Sequence, residues 1–476
     1  MKPTRNQILL FKNAVKNLPA YRKFLVKQKI RPQDIRGPLD WTKVPIMTKE
    51  NYFGQYKRTD FFNNKRWPAM IYASSGSSGR PTFWFRGDEQ EERGGLIHEE
   101  IFRRAFEFSK TQPTLVIVCF SMGVWVAGQY TTASCRYLAR QGYNVSVISP
   151  GVEKEDIFTA WRELGPHYKN IVLAGYPPFI LDVVREAKQR GINFGQSVKI
   201  LTAGDKFDER WRENLISSIG NSKTQVLGIY GSADSGAMGY ETPLSIFIRR
   251  HLSEDRQKAE LFWGKHEVLP GLVQYDPKFI FFENVGEELV LTTAGVLPLI
   301  RYNIHDRGKV LSFEKMKEYI KQWGWDKEAR KAGLYIWIRP FLVLGGRTDV
   351  AVTFYALNIY PEHVRVGLEE GVVNKWLSGN FSAHHRDLDK GQAQELVVRA
   401  ELAPGIKASA RLTSQLQNVF TGKLREVNIE YRKLFDILGE KAKPLVELCP
   451  FGKMEITSRP GGTLVQLKGK KPRKVL

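Results

Sequence analysis

Between about Thr114 and Ile229, short β-branched apolar runs alternate with longer amphipathic stretches that end in glycine or proline. That change of period is the mark of βα units. The runs at 115–118, 145–148, 171–174, 198–201 and 226–229 read as buried strands of a mostly parallel sheet with helices on both faces. Ligands of such sheets collect beyond the carboxyl ends of the strands, so the loops after Leu201 and Ile229 are where chemistry is expected. After Gly345, Gly346 and Arg347 the pattern shortens and mixes. A helix opens at Pro361 and Glu362, a strand lies near Leu396, Val397 and Val398, and a further helix runs from about Ser409 to Phe420. The expected fold is α/β. A large unit over 1–346 has mostly parallel sheets flanked by helices, and a small α+β unit covers 347–476, with the boundary near Arg347 to Asp349. A length of 476 residues, more than one core usually holds, agrees with that division.

Composition narrows the class without choosing a function. Apolar residues form 42% of the chain and charged residues 26%, which is globular rather than disordered. The run Ile8, Leu9, Leu10, Phe11 is too short for a signal-peptide core, and no stretch reaches membrane-spanning length, so a cytoplasmic protein is expected. Cys119, Cys135 and Cys449 lack the spacing of a disulfide framework or a zinc site. The net charge of +22 predicts attraction to polyanions such as nucleotides, coenzyme A phosphates or an acidic carrier or acceptor protein. Nucleic acid is not expected, since no RNA-binding signature accompanies the charge. Five of the cations, Lys468, Lys470, Lys471, Arg473 and Lys474, crowd the last nine residues, and all but one of them read as a solvated tail.

The first segment with chemical content is Ser74, Ser75, Gly76, Ser77, Ser78, Gly79, Arg80, Pro81, Thr82. Glycines let backbone amides turn toward an anion, the hydroxyls add donors, and the Arg80 guanidinium adds a bidentate fork. The segment is not the GxxxxGK pattern of P-loops. A flexible serine–glycine linker is the competing reading, although the flanks Ile71, Tyr72 and Phe83, Trp84, Phe85 are apolar.

Further segments in the same order make the chain resemble the acyl-adenylate-forming enzymes, and within them phenylacetate-coenzyme A ligase. The serine–glycine segment is similar to that family's SSGTTGxPT loop over the ATP phosphates, with Ser77 and Ser78 for threonines and Arg80 for lysine. Tyr230, Gly231, Ser232, Ala233, Asp234 resembles YGxTE, which implies an aromatic against adenine and an acid on Mg²⁺. On its own that segment reads rather as a strand-end turn in which the tyrosine packs and the aspartate caps the next helix. Thr202, Ala203, Gly204, Asp205 resembles the GGE turn beside the nucleotide and acyl pocket. Pro298 to Asp306 resembles PxIRYxxGD, making Asp306 the ribose ligand; His305 stands for a glycine and is given no role. Leu344 to Asp349 resembles the GRxDD hinge, with Arg347 meeting ribose or phosphate and Asp349 absorbing the backbone rotation. Ala356 replaces a glycine in the thiol-transfer loop. Gly469, Lys470, Lys471, Pro472, Arg473 resembles the terminal GKxxR, with Lys470 as adenylation lysine.

The resemblance implies an ATP-dependent ligase that activates an aromatic or medium apolar carboxylic acid as acyl-AMP, releases pyrophosphate and transfers the acyl group to coenzyme A. Its cofactors would be ATP and Mg²⁺, with coenzyme A as co-substrate. Lys470, Arg347 and Asp234 would be catalytic, with Asp234 also the metal ligand. Ser74 to Arg80, Asp205, Tyr230, Gly231, Ser232, Asp306 and Arg347 would hold the nucleotide. Trp125, Tyr176, Ala203 and Gly204, with Phe179, would wall the acid pocket. Transfer to a protein or amine acceptor, and a non-catalytic nucleotide-binding relative, remain open alternatives.

Overall fold

The computed structural model describes residues 3–62, 67–74, 82–193, 197–204, 207, 209–221, 224–264, 269–347, 352–355, 357–359, 361–368, 370, 373, 375–388, 393–454, 463–466 and 473–475. Among these, the five apolar runs form five parallel neighbours, Gln225–Ser232, Ser197–Ala203, Asn170–Gly175, Thr114–Cys119 and Val145–Ile148. Thr114–Cys119 and Asn170–Gly175 are buried along their whole length. Burial on both faces is why their sequences are continuous apolar runs rather than alternating ones.

The same sheet continues antiparallel from Gln225–Ser232 through Gly236–Tyr240, Gly271–Gln274, Phe341–Arg347, Leu299–Leu311, Glu288–Thr293 and Ile280–Val285. One face of the parallel half packs on helices Lys154–Leu164, Pro177–Gln189 and Glu209–Ile219. On the other lies the largest core, which includes the amino-terminal helices Arg5–Asn17 and Pro19–Lys27 and the rings of Trp41, Tyr52 and Trp84.

The amino-terminal segment is stitched to the sheet through Leu299–Leu311. Met47 and Tyr302 form a parallel bridge, with Met47 N donating to Arg301 O at 3.0 Å and Asn303 N donating to Met47 O at 2.9 Å. Arg301 has a left-handed backbone, φ +48°, where the register against Glu288–Thr293 shifts. Its guanidinium donates to the carbonyls of Thr42 and Val44, at 3.0 and 2.6 Å, and pairs with Glu283 at 2.9 Å. Trp41 Nε1 also donates to Glu283.

A second, smaller core holds the hairpin Val352–Phe354 and Leu357–Ile359, helices Pro361–Leu368, Ala410–Val427 and Ile429–Leu438, and a sheet in the order Leu445–Cys449, Ala393–Leu402, Leu377–Leu388, Thr463–Gln466, Arg473–Val475. The expected helix at Ser409 is there, with Ser409 as its cap, and continues seven residues past Phe420 to Val427. The basic run expected as a solvated tail has a paired backbone at its far end. Arg473 and Lys474 pair in register with Val465 and Leu464, so this backbone belongs to a sheet. Lys468, Lys470 and Lys471 lie outside the described residues. Cys119, Cys135 and Cys449 are buried and joined in no disulfide among the described residues. No helix among the described residues is long and apolar enough to cross a membrane.

Asn428 clamps the smaller core. Its Oδ1 accepts from Tyr431 N at 2.9 Å, capping Ile429–Leu438, which turns its amide nitrogen toward Asn358 O at 3.2 Å and His363 Nδ1 at 3.1 Å. His363 Nδ1 is thereby an acceptor, so the ring is held neutral, and burial draws its pKa down to about 4.

Two outcomes follow for stability. Arg301→Met strands two carbonyls and Glu283, and is expected to cost about 3 kcal/mol in urea unfolding of the full chain, with Arg301→Lys recovering less than half. For His363 the folded pKa lies below that of the unfolded chain, so its contribution is intact above pH 6.5 and is lost as pH falls toward 4. The loss amounts to roughly 3 kcal/mol. Hydrogen-exchange protection of 361–368 should fall across that window and should lose its pH slope in His363→Leu.

Candidate functional site

The site forms where the parallel half meets the antiparallel half. Gln225–Ser232 turns through Ala233, Asp234 and Ser235 into Gly236–Tyr240, so the YGxTE-like segment occupies a hairpin tip. Gly236 is required there: its φ is +81°, and a Cβ would fall 2.5 Å from Arg86 Nη1.

Residues far apart in sequence converge on that tip. Tyr230 donates its hydroxyl to Asp306 Oδ2 at 2.5 Å. Asp306 stands opposite Arg347 in the strand register, so the strand that carries Arg347 borders the same spot. Ser232 and Ser235 hydroxyls lie 3.2 Å apart, and Ser235 N donates to Ser232 Oγ, closing the turn.

The Asp234 carboxylate is already engaged by protein groups. Its side chain is 4% exposed, Tyr302 donates to its Oδ2 at 2.5 Å, and Lys49 Nζ lies 3.4 Å from its Oδ1. Both carboxylate oxygens therefore face protein donors. No group of three or more His, Cys, Asp or Glu that could hold a metal occurs among the described residues. Mg²⁺ at nucleotides is held by one or two carboxylates together with phosphate oxygens and water, and the carboxylate expected from the sequence to carry it has both oxygens engaged by Tyr302 and Lys49.

Beneath the tip lies Arg86, 1% exposed, at the end of strand Thr82–Arg86. Its Nη2 donates to the carbonyls of Ala233 at 2.9 Å and Ser232 at 3.4 Å. The rings of Tyr72 and Tyr130 each lie 5.1 Å from its guanidinium carbon, so π-faces take up charge where oxygen acceptors are few. Tyr72 in turn donates to Glu91, whose pKa is raised chiefly by burial. A second buried charge group holds the strand that carries Tyr230. Glu241 accepts from Gly228 N at 2.8 Å and pairs with Arg212 and Arg249, and Glu209 completes the cluster.

The expected acid-pocket walls separate into two groups. Gly204 has φ +96°, and a Cβ on it would stand 3.7 Å from Tyr176 Cδ2, so these two are neighbours, with Ala203 packed beside them against the main core. Tyr176 packs on the smaller core as well as on the sheet's helical face. Trp125 caps helix Val126–Arg140, bridges Ala73, and lies under Lys433 Nζ at 4.6 Å from the ring centre. Phe179 departs from expectation: at 5% exposure it belongs to the core on the helical face. It points into packing because it sits on the inner side of Pro177–Gln189.

His305, given no role, has φ +63°, which explains why a glycine suits that position in the family pattern. Its Nδ1 lies 3.2 Å from Glu288. Ser75 to Pro81, Asp205, Asp349, Ala356 and Lys470 lie outside the described residues; Ser74 and Arg347 are described as strand backbone only. Sequence reading did not find Lys49, Arg86 or Tyr302. The usable signals were an isolated cation closing an aromatic strand at Arg86 and the Thr48 capping box that fixes Lys49.

No protein-family model matches the chain. Phenylacetate-coenzyme A ligase of Thermus thermophilus is 22% identical over 359 residues, 74% of this chain and 71% of that protein. The enzyme of the same name from Escherichia coli (strain K12) is 22% identical over 398 residues, 82% and 79% of the two chains. Among solved structures, 2-hydroxyisobutyryl-CoA ligase with 2-HIB-AMP and CoA in the thioesterification state overlays with TM-score 0.65 at 14% identity, covering 95% of this chain and 86% of that one. Its open conformation gives 0.53 at the same identity, covering 95% and 88%. The chain is thus similar in sequence, over most of its length, to phenylacetate-coenzyme A ligases, and similar in fold to 2-hydroxyisobutyryl-CoA ligase.

Proposed function

We propose that the chain activates a carboxylic acid with ATP as acyl-AMP and transfers the acyl group to coenzyme A. The observation that carries this reading is the meeting of Tyr230 and Asp306, 76 residues apart, beside the Arg347 strand at the junction of the two half-sheets. The names of the relatives support the chemistry, and two of them state both an acyl-AMP and CoA.

In this reading a carboxylate oxygen of the acid attacks the α-phosphorus of ATP, and pyrophosphate leaves. The thiol sulfur of coenzyme A then attacks the acyl carbon, and AMP leaves. Asp306 accepts both ribose hydroxyls while Tyr230 orients it and lies against adenine. Ser74 to Arg80 surround the polyphosphate, and Arg347 and Lys470 offset charge on the phosphoryl oxygens. Asp205 borders the nucleotide. Tyr176, Ala203, Gly204 and Trp125 wall a pocket for an aromatic or medium apolar acid. The 347–476 unit turns about Asp349 between the two steps. A cleft of about 500 Å³, lined by Ser121, Met122, Lys154 and, from the smaller core, Lys433, is offered as the route of the thiol.

Pyrophosphate release from ATP with a panel of aromatic and aliphatic acids tests the reading. Acid-dependent release is expected, stimulated by coenzyme A. Asp306→Ala should lower it about 100-fold by removing two charge-assisted hydrogen bonds, whereas Tyr230→Phe, which keeps the carboxylate, should stay within about tenfold. Release that needs hydroxylamine in place of coenzyme A would move the acceptor to an amine. Silence across the panel despite ATP binding would overturn the proposal.

A further inference from the structure

The carboxylate at the hairpin tip already has a cation, and the protein supplies it. Lys49 belongs to the amino-terminal segment, 185 residues before Asp234, and its local sequence offers only the Thr48 capping box. Three features fix it. Thr48 and Asn51 form a reciprocal capping box at the start of the turn Lys49–Phe53. Met47, two residues earlier, is bonded on both sides into Leu299–Leu311. The Lys49 ammonium stands 5.5 Å from the ring centre of Trp84.

The geometry of the pair is graded from the interior outward. The Asp234 side chain is 4% exposed and that of Lys49 36% exposed, so the carboxylate is the buried end and the ammonium the end toward solvent. Tyr302 satisfies Oδ2 from inside and Lys49 neutralises Oδ1 from outside. An ammonium has three N–H donors, and Asp234 is its one ionic partner among the described residues. Donors and charge are therefore left over beside a hairpin whose first strand also carries Tyr230, the partner of Asp306. A divalent cation bound at Oδ1 would have to displace this ammonium or stand against it at like charge.

We propose that Lys49 is the resident cation of the nucleotide site: its ammonium holds at Asp234 the place of a divalent ion, fixes the tip, and presents positive charge to the polyphosphate. Asp234 is then the positioning residue of Lys49 and not a metal ligand. This rests on the nucleotide reading given above.

The test uses the full chain and two probes. The first is Mn²⁺ alone, followed by the electron paramagnetic resonance signal of the free ion. Wild type and Asp234→Asn are expected to titrate identically. The second is ATP in excess EDTA, followed by calorimetry. Lys49→Met should weaken its binding at least tenfold, while Lys49→Arg, which keeps the cation, should stay within about threefold; a merely structural role would not separate these two variants once both are shown folded by circular dichroism. Mn²⁺ binding by the wild type that is lost in Asp234→Asn overturns the proposal, as does unchanged metal-free ATP affinity in Lys49→Met. Should Lys49→Met fail to fold, the Asp234→Asn titration and the Lys49→Arg affinity still decide, since a more than tenfold loss in Lys49→Arg would contradict it. A wild type that binds no ATP, with or without metal, overturns the nucleotide reading itself, and the Mn²⁺ titration separates that failure from a failure of the Lys49 assignment.

Discussion

The alternation of side chains along one strand, Leu299–Leu311, sets the geometry on which the rest of the site depends. Tyr302 and Asp306 reach the Tyr230–Asp234 hairpin, whereas Arg301 and Asn303 reach Glu283 and Glu288 on the other side. A strand rises about 3.3 Å per residue, so four residues of it span the distance between the two side chains that meet the tip. The backbone departures at Arg301 and His305, φ +48° and +63°, lie on this same strand. They are tolerated because each side chain is tied down, by Glu283 and two carbonyls in one case and by Glu288 in the other.

Sheets of this kind expose some features to sequence reading and hide others for physical reasons. The parallel strands were legible as short β-branched apolar runs, most of all Thr114–Cys119 and Asn170–Gly175, where burial on both faces forces unbroken ones. The antiparallel half was not: Gly236–Tyr240 carries two glycines and Gly271–Gln274 is only four residues long, so neither shows a period. Within the site, Tyr230 and Asp306 were legible as residue types in family-like segments, but their contact was not, since pairing across the sheet is set by topology. The contacts of Lys49 with Asp234 and of Arg86 with Ala233 were hidden for the same reason, each reaching more than a hundred residues along the chain. Phe179 was misjudged because an aromatic just past a strand end suits a pocket wall and a helix core equally. The partners of Asp234 were hidden because a carboxylate's residue type says nothing of the donors that engage it.

The buried cluster of Glu209, Arg212, Glu241 and Arg249 shows a second way in which this fold places charge. Two acids and two guanidiniums, all nearly inaccessible, balance one another, and Glu241 uses its remaining oxygen on Gly228 N. Such clusters seldom add net stability over apolar packing, since desolvation offsets the attraction. What this one does is fix the height of the Gln225–Ser232 strand relative to the helix Glu209–Ile219, and so the position of Tyr230. Arg86 acts on the opposite side of the same strand by holding the carbonyls of Ser232 and Ala233.

The clamp at Arg301 also has a temporal side. Val44 O and the guanidinium that it accepts from are separated by 257 residues of chain. At ribosomal rates of roughly 5–20 residues per second, on the order of tens of seconds pass between the synthesis of the two. Through that interval Trp41 and Met47, both buried in the finished protein, have no sheet to pack on, and the two short helices Arg5–Asn17 and Pro19–Lys27 supply the cover at hand. The amino-terminal segment is thus made early and seated late, which makes the nascent chain, more than the folded one, the form of this protein most exposed to aggregation and most dependent on chaperones.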